Sequence, residues 1–459
     1  MFLRGNLIGL IVDAVDDRSA RGIAAAISRM ITAGTLPAGT RLPTVRDVAR
    51  QLGVSPTTVS EAWRSLTRAG VLQTRGRSGT FVATVSSRQR LRYSQMGAVG
   101  AVAQDLSTGV PDHDLLPDLT DALKRIGDGR LTSSYLDAPV LPGLEEVLRA
   151  RWPFAPSSLT VVDGALDALD RVIGVSVRFG DHVVVENPAF PPLLDLLQTV
   201  GATVIGVPVD KSGMSPEGLA AALASHPVVA VFLQPRAHNP TGVSMTAARA
   251  SALAKIIESY PDVLVVEDDH AGDIASAPPV SLATPQTVHV ASFSKSHGPD
   301  LRLAAVGGPA PVISAVADRR LLGPGWSSRL LQAVLLDLLT DPAAAAQVSD
   351  AREMYATRRA ALLAALHARG VTATADDGIN LWMAVDDQQM AMVALAAHGI
   401  AVAPGAPFCV TPLPSDHVRV TAGLVPTEVD DLADALAAAA LLDSRGSGPR
   451  TRPHPRGWR

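Results

Sequence analysis

Cysteine is almost absent from this chain of 459 residues, since Cys409 is the single one. One thiol excludes an intrachain disulfide framework and a cysteine-rich metal site, and we predict no metal ligand set. No stretch of 18 apolar residues lacks a charge, and charged side chains recur within the first 20 residues. Neither a membrane span nor a secretory signal is therefore predicted. These absences indicate a soluble protein of a reducing compartment, the cytoplasm.

Aromatic residues are also scarce, at 4%, whereas apolar residues make up 47% of the chain and charged residues 18%. This composition is sufficient to bury a large core and argues against global disorder. The length is about three times that of a typical domain of roughly 150 residues, which favours two or three domains.

Charge is distributed unevenly along the chain. Residues 1–92 contain 14 arginines, no lysine and 5 acidic residues, a net charge of +9. Residues 444–459 add +5, whereas residues 93–443 have a net charge of −18. A basic N-terminal module beside an acidic body indicates a polyanionic partner for the first and an ordinary soluble domain for the second.

The hydrophobic pattern divides the chain into four parts. Residues 1–85 combine short helices with a turn-rich hairpin, and residues 86–115, rich in serine, glycine and polar residues, are predicted to form a linker. From 116 to 443, short β-branched runs alternate with helical stretches, which predicts an α/β fold with a mostly parallel sheet covered by helices. Residues 444–459 have no apolar pattern and are predicted to be a disordered basic tail.

Two helices around a tight turn are predicted in the N-terminal module. Apolar residues at helical spacing from Val45 to Leu52 define the first helix, and Gly53 ends it. Ser55 caps a second helix, whose polar outer face can enter a major groove. The loop Arg75–Gly79 then joins two short β runs and places two cations at a hairpin tip, which suits a phosphate backbone. A small helical oligomerisation module with solvated arginines is the alternative.

The segment from about Ser19 to Val82 resembles the winged helix-turn-helix of the GntR family of bacterial regulators. The matching sequence is GTRLPTVRDVARQLGVSPTTVSEAWRSLTRAGVLQTRGRSGTFV, which extends to the end of the module. The resemblance implies binding to double-stranded operator DNA. The residues that it implicates are Arg46, Ser55, Thr57, Thr58, Arg75, Arg77 and Gly79.

In the large domain, Lys295 and Asp268 each follow a predicted apolar strand. The Lys295 amine, with Arg302 nearby, is placed to form a Schiff base with an aldehyde cofactor, because a nearby cation lowers the pKa of an amine. Asp268 lies where open α/β sheets bind ligands, and a carboxylate there could keep a pyridine nitrogen protonated. A metal-binding or helix-capping acid cluster is the alternative for the carboxylates around Asp268.

Two turns complete the set of motifs. Asn239 precedes Pro240 in a rigid turn that can direct its side-chain amide to a phenolic oxygen. Gly164 opens a helical stretch, and the N-terminus of a helix offers free N–H groups to a phosphate. Ser292, Ser294 and Arg302 would add hydroxyl and guanidinium donors to the same phosphate.

Together these motifs resemble the fold-type I aminotransferases, which bind pyridoxal 5′-phosphate (PLP). The resemblance implies that Lys295 forms the Schiff base, Asp268 pairs with the pyridine nitrogen and Asn239 donates to the ring hydroxyl. It also implies that Phe190 stacks on the ring and that Arg419 binds a substrate carboxylate. The phosphate would be held by Gly164, Ala165, Ser292, Ser294 and Arg302, with Tyr135 reaching it from a neighbouring subunit.

Two positions depart from the pattern of that family. His270 stands two residues after the aspartate, where a tyrosine is usual, and histidine can also donate to the ring oxygen of the cofactor. Asp163 stands in the phosphate turn, where a serine or threonine is usual, so that an anion lies near a dianionic group.

The combination of a GntR-type module, a linker and an aminotransferase-like domain resembles the MocR subfamily of transcriptional regulators. The resemblance implies a homodimer in which a small amino compound, or PLP itself, changes the affinity for operator DNA. A working aminotransferase with an appended DNA-binding module is the alternative, since every group needed for the chemistry is present. A repressor with an inactive ligand domain is disfavoured, because Lys295, Asp268 and Arg302 are all retained.

Overall fold

A computed structural model describes residues 3–37, 39–68, 71–74, 79–82, 91–96, 102–126, 134, 137–426 and 428–442. Three candidate site residues lie outside these ranges: Arg75, Arg77 and Tyr135. Much of the predicted linker and the whole of the predicted tail also lie outside the described residues.

The head, defined as the described residues from 3 to 82, is a small helical unit with a two-stranded wing. Its elements are α1 (Leu3–Ala14), α2 (Ala20–Thr32), α3 (Val45–Leu52), α4 (Pro56–Arg68), β1 (Leu72–Thr74) and β2 (Thr80–Val82). The Thr44 hydroxyl accepts from the Asp47 N–H at 3.2 Å and starts α3, and Gly53, with φ 67°, ends it. The strands β1 and β2 pair antiparallel. The predicted winged helix-turn-helix is confirmed.

The body, defined as the described residues from 102 to 442, begins with a large lobe. The short strand β3 (Gln104–Asp105) comes first in the chain and belongs to the small lobe described below. The strands of the large lobe are β4 (Ser158–Val162), β5 (His182–Asn187), β6 (Thr203–Asp210), β7 (Gly213–Met214), β8 (Val228–Leu233), β9 (Leu264–Asp269), β10 (Thr287–Ser292) and β11 (Ala304–Gly308). Its helices are α5 (Thr120–Ile126), α6 (Pro142–Ala150), α7 (Ala165–Ser176), α8 (Pro191–Thr199), α9 (Pro216–Ser225), α10 (Ala247–Ile257), α11 (Ala310–Leu321) and α12 (Arg329–Thr340).

The described strands of the large lobe form one sheet in the order β4-β11-β10-β9-β8-β5-β6-β7. Its central strands β10, β9, β8, β5 and β6 run parallel, and β11 and β7 run antiparallel to their neighbours. In β5, Val183 and Val185 belong to one apolar cluster and Val184 to another, so the sheet is covered on both faces. The mostly parallel α/β fold is confirmed.

A small lobe follows the large one. Its elements are α13 (Pro342–Ala368), β12 (Ala373–Thr374), β13 (Leu381–Val385), α14 (Gln388–Ala397), β14 (Ile400–Ala401), β15 (Ala403–Pro404), β16 (Asp416–Val420) and α15 (Asp430–Ala440). The strands β12, β13, β16 and β15 form an antiparallel sheet in that order. None of the described helices is both long and apolar enough to cross a membrane.

Part of the segment predicted as linker belongs to this small lobe. The strand β3 pairs in parallel with β14, and Leu106 is fully buried in the apolar core of the lobe. The prediction of a linker over 86–115 is therefore too long at its C-terminal end, and the body starts before residue 116. The segment shows no hydrophobic periodicity because a strand of two residues is too short to produce one. The strand with which β3 pairs lies almost 300 residues further along the chain.

The head contacts the body through α2. The Arg21 Nη2 atom lies 2.8 Å from the Asp181 Oδ1 atom, and the side chain of Phe179 packs against the apolar core of the head. Between head and body, the backbone N–H of Arg92 donates to Asp195 Oδ1 at 3.2 Å, and Met96 is buried beside Phe408.

Candidate functional site

Three polar side chains lie at the carboxyl ends of neighbouring parallel strands. Gln234 follows β8, Asp268 lies near the end of β9, and Lys295 follows β10. Because parallel strands end at the same edge of a sheet, the fold brings these residues together, although they are far apart in the chain.

The Lys295 amine is partly buried and donates a hydrogen bond to the backbone oxygen of Gly109. Burial and the positive charge of Arg419 lower the pKa of Lys295 to about 8. A substantial fraction of the amine is therefore neutral near physiological pH, as covalent capture of an aldehyde requires.

The Asp268 carboxylate is buried and satisfied on one side only. Its Oδ2 atom accepts from Gln234 Nε2 at 2.8 Å, whereas its Oδ1 atom is buried without a hydrogen-bond partner among the described residues. Burial raises the pKa of Asp268 to about 6. Phe190 and Asp268 line the same small cavity. An N–H donor on an aromatic ring held there would satisfy Oδ1, so these residues fit a pyridine ring with a protonated nitrogen.

Asn239 and Arg419 are joined directly. The Arg419 Nη1 atom donates to Asn239 Oδ1 at 3.2 Å, and Arg419 Nη2 donates to the backbone oxygen of Ser107. The Asn239 backbone N–H donates to Gln234 Oε1 at 2.9 Å. Because the side-chain oxygen of Asn239 faces a cation, its amide nitrogen is left to donate. The Gln234 side chain thus holds both Asp268 and the turn that carries Asn239.

His270 lies at the end of β9, but its contact differs from the sequence-based expectation. The Nε2 atom of His270 lies 2.9 Å from the backbone oxygen of Ala237. Burial and the charge of Lys295 lower the pKa of His270 to about 3, so the ring is neutral. A neutral imidazole has one N–H, and here it is donated to a carbonyl oxygen.

The start of α7 brings together groups that could hold a phosphate. Gly164 has φ 100°, and a Cβ atom there would lie 3.1 Å from Arg302 Nη2. The Arg302 guanidinium also donates to the Asp163 backbone oxygen at 3.0 Å. The helix begins at Ala165 without a side-chain cap, so its first N–H groups are open to an anion.

The two serines expected to bind the phosphate lie at the end of β10. Ser292 is the last residue of this strand and is buried, and its Oγ atom accepts a hydrogen bond from the Ser294 N–H at 3.4 Å.

The negative charge of Asp163 is balanced by neighbouring side chains of the same chain. It accepts from Ser327 Oγ at 2.5 Å and lies 3.3 Å from Arg320 Nη2. Arg320 is buried and also pairs with Asp167 at 2.9 Å. The anion expected to oppose a phosphate in this turn is therefore compensated by a buried guanidinium.

The candidate DNA-contacting residues of the head lie around the start of α3 and α4. Arg46, Ser55 and Thr57 are exposed, and Thr58 is half-buried. The Ser55 hydroxyl accepts from the Thr57 N–H at 3.1 Å, which fixes the start of α4. Gly79, in the wing, has φ 104°.

Sequence reasoning missed several residues that the fold brings to these surfaces. Arg41 is exposed and forms an isolated antiparallel β-bridge with Phe81. Its Nε atom would lie 3.1 Å from a Cβ atom at Gly79, so Arg41 adds a cation to the wing. Gln234 could have been found as a polar residue ending an apolar strand on the same edge as Asp268. No sequence pattern pointed to Ser107 and Gly109, because they lie in the segment that was predicted to be a linker.

Comparison with known families assigns both parts of the chain. Residues 103–436 match the family described as aminotransferase class I and II, and residues 19–82 match the bacterial regulatory proteins of the gntR family. The chain is 37% identical to the vitamin B6 salvage pathway transcriptional repressor PtsJ of Salmonella typhimurium, over 91% of this chain and 98% of PtsJ. It is 30% identical to the HTH-type transcriptional regulator TauR of Rhodobacter capsulatus, over 83% of this chain and 88% of TauR.

Solved structures resemble the body. An archaeal alanine:glyoxylate aminotransferase has a TM-score of 0.68 and 22% identity, covering 75% of this chain and 91% of its own. The kynurenine aminotransferase of Pyrococcus horikoshii also has a TM-score of 0.68, with 23% identity, covering 74% of this chain and 91% of its own. At these identities the likeness establishes the fold alone.

Proposed function

Because this chain belongs to the GntR-family transcriptional regulators that carry an aminotransferase class I and II domain, the MocR subfamily, we propose that it is a PLP-binding repressor. Its body would sense vitamin B6, and its head would bind operator DNA in the cytoplasm. The observation that carries the proposal is the pair formed by Lys295, an amine with a lowered pKa, and Asp268, a buried carboxylate with one unsatisfied oxygen. PLP-binding sites use a lysine amine for the aldehyde and an acidic partner for the pyridine nitrogen.

The residues around this pair would supply the remaining contacts. Asn239 would donate to the ring hydroxyl, and Phe190 would cover the ring. PLP supplies an aldehyde that captures primary amines and a ring that withdraws electrons. The phosphate would be held by Gly164, Ala165, Ser292, Ser294 and Arg302, with Tyr135 of a neighbouring subunit as a further donor expected from the sequence.

The identity of the sensed molecule follows from the relative and from Arg419. PtsJ is a repressor of vitamin B6 salvage and matches this chain almost from end to end. The Arg419 guanidinium, the expected anchor for a carboxylate, is buried and already bonded to Ser107 and Asn239. An amino acid would have to displace these oxygens, which favours PLP itself over an amino compound as the effector.

A homodimer is part of the proposal. Large apolar side chains are exposed on the body, among them Leu322 at 91% and Leu321 at 66% exposure, with Leu123 and Leu330 also exposed. A second subunit that covers these leucines would remove their apolar surface from water. A dimer would also place two heads on paired DNA half-sites. Single Leu322→Asp and Leu330→Asp variants should shift the mass measured by light scattering towards the monomer.

The contacts of residues 107–109 support a coupling between the ligand site and the head. The amine of Lys295 bonds to Gly109, and the guanidinium of Arg419 bonds to Ser107. The Gly109 N–H donates to Thr421 Oγ1 at 2.8 Å. A ligand that engages Lys295 or Arg419 competes for these bonds, and the same segment leads back along the chain to the head. Two sites that share such an element can be coupled.

The test is the affinity for DNA with and without PLP. We would titrate the DNA upstream of the chain's own gene by fluorescence anisotropy, at fixed salt, with the protein stripped of cofactor or loaded with PLP. We expect the dissociation constant to change by roughly 5–150-fold, and the affinity for PLP to change by the same factor when DNA is present, as linkage requires. A non-coding duplex of equal length is the control.

Two results would contradict the proposal. If DNA affinity is indifferent to PLP but responds to an amino compound in the presence of PLP, the effector is the amino compound. If neither changes DNA affinity and a keto acid accumulates over many turnovers from an amino acid, the chain acts as an aminotransferase with an appended DNA-binding head.

A further inference from the structure

The hydrogen bond between His270 and Ala237 determines which ring nitrogen of the histidine is a donor and which is an acceptor. A carbonyl oxygen only accepts, so Nε2 of His270 carries the proton and donates at 2.9 Å. Burial and the charge of Lys295 keep the ring neutral. The other ring nitrogen, Nδ1, is therefore an acceptor, and this histidine has no N–H left for a cofactor.

The carbonyl that His270 holds belongs to a constrained turn. Ala237 has φ 46°, a left-handed conformation that residues other than glycine rarely adopt. Its N–H donates to Ser244 Oγ at 2.9 Å. Asn239 follows two residues later, and its own N–H is held by Gln234. The turn is thus fixed from the end of β8 by Gln234 and from the end of β9 by His270.

We propose that His270 is a positioning residue for Asn239: it fixes the Ala237 carbonyl through Nε2, and so fixes the turn that presents the Asn239 amide, rather than donating to the cofactor itself. The inference rests on the proposed function, because its target is a bound PLP. It replaces the expectation that His270 takes over the donor role of the tyrosine usual at this position. Asn239 then remains the donor to the ring hydroxyl from this side.

Substitution of His270 by glutamine or by asparagine distinguishes positioning of the turn from direct donation to the cofactor. A glutamine places its Nε2 close to the position of the histidine Nε2, whereas an asparagine reaches only the position of Nδ1. We expect His270→Gln to keep the bond to Ala237 and to bind PLP like the wild type, with the same pH midpoint of the visible absorbance. We expect His270→Asn to shift that midpoint and to bind PLP up to about tenfold more weakly, the effect of losing one hydrogen bond.

A second substitution and a matched control complete the experiment. Ser244→Ala removes the other anchor of Ala237 and should change the absorbance midpoint in the same direction as His270→Asn. In the Asn239→Ala background, His270→Asn should have no further effect, because the group that it positions is gone. The control is His398, an exposed histidine whose Nδ1 lies 2.9 Å from the Ala394 oxygen; its Gln and Asn variants should match the wild type.

Three outcomes would overturn the inference. If His270→Asn resembles the wild type and His270→Gln does not, the histidine acts through Nδ1 directly on the cofactor. If both variants resemble the wild type in affinity and in absorbance midpoint, the bond to Ala237 positions nothing. If His270→Asn adds its full effect to Asn239→Ala, the two residues act independently. Failure of the wild type to bind PLP would instead refute the proposed function, and this inference with it.

Discussion

The head and the body hold their candidate functional residues in opposite ways. In the head, Arg46, Ser55 and Thr57 are exposed, and each is placed by a helix whose ends are set within a few residues of it. In the body, Lys295 bonds to a carbonyl 186 residues away, and Arg419 to one 312 residues away. The head therefore presents a surface that short segments specify, whereas the site in the body exists only once the whole fold has assembled.

This difference predicts how substitutions divide between the two regions. A change at the ligand site of the body removes a group from a buried network and should affect ligand binding strongly while leaving DNA binding intact. A change in the head removes one contact among many at an exposed surface, and such contacts contribute small, salt-dependent increments to affinity.

The largest effect is expected for Lys295→Ala. The variant should lose the visible absorbance of the covalently held cofactor, because Lys295 is the lysine that the described part of the chain brings to the site. Borohydride should no longer fix PLP onto the protein. It should also lose the response of DNA affinity to PLP, while binding DNA itself. The exposed Lys255 is the matched control, and Lys255→Ala should behave like the wild type. An unchanged absorbance in Lys295→Ala would refute the assignment of the site.

The next effect concerns pH, and it follows from the lowered pKa of Lys295, about 8. Only the neutral amine captures an aldehyde, so the rate of PLP attachment should rise roughly tenfold per pH unit up to pH 8 and level off above it. Stopped-flow absorbance measures this rate. Since the charge of Arg419 contributes to the low pKa, Arg419→Gln should move the plateau to higher pH. A rate that continues to rise beyond pH 10, as for an ordinary lysine, would contradict the described burial.

The same contrast explains how much could be predicted from the sequence. The helix-turn-helix was predictable because Gly53, Ser55 and the apolar spacing from Val45 to Leu52 are local signals. The strands β9 and β10, which lead to Asp268 and Lys295, were predictable as apolar runs, and the motifs at their ends indicated the fold. A pattern within one strand determines its type and its polar terminus without reference to the remainder of the chain.

What escaped prediction depends on pairings between distant segments. The strand β3 exists because it pairs with Ile400–Ala401, and nothing near Gln104 announces that partner. The role of His270 could not be derived either, because its N–H is donated to Ala237, and only the turn geometry reveals which oxygen lies in reach. The same holds for Arg320, which balances the charge of Asp163 although the two residues are more than 150 positions apart in the chain.

A smaller effect is expected for Arg46→Ala in the head. If its exposed guanidinium at the start of α3 contacts a phosphate, as we propose, its loss should weaken binding to specific and unrelated DNA alike. The slope of log K against log salt should fall by about 0.9, the value for one phosphate contact. Fluorescence anisotropy at several salt concentrations measures it. Arg319→Ala, on the exposed surface of the body, is the control, and an equal loss of slope there would mean that bulk charge, rather than a contact, is responsible.

The smallest effect is expected where the two regions meet. Asp181→Asn removes the ion pair with Arg21 without changing the charge of the head, and the Arg21 side chain is 58% exposed. Such a pair contributes about 0.2–1 kcal/mol, so DNA affinity should change by less than about fivefold. The change should be a loss: α2 contacts the body, the exposed residues of α3 and α4 remain open to DNA, and a docked head has less freedom to lose on binding.

Salt provides the sharper form of this last prediction. Screening weakens the ion pair between Arg21 and Asp181, so the difference between Asp181→Asn and the wild type should vanish as salt approaches about 1 M, where the Debye length is about 3 Å. Asp170→Asn, an exposed carboxylate on α7, is the matched control and should show no difference at any salt concentration. If Asp181→Asn instead strengthens DNA binding, the docked head is the state that DNA must displace, and head and body are coupled through competition rather than through preorganisation.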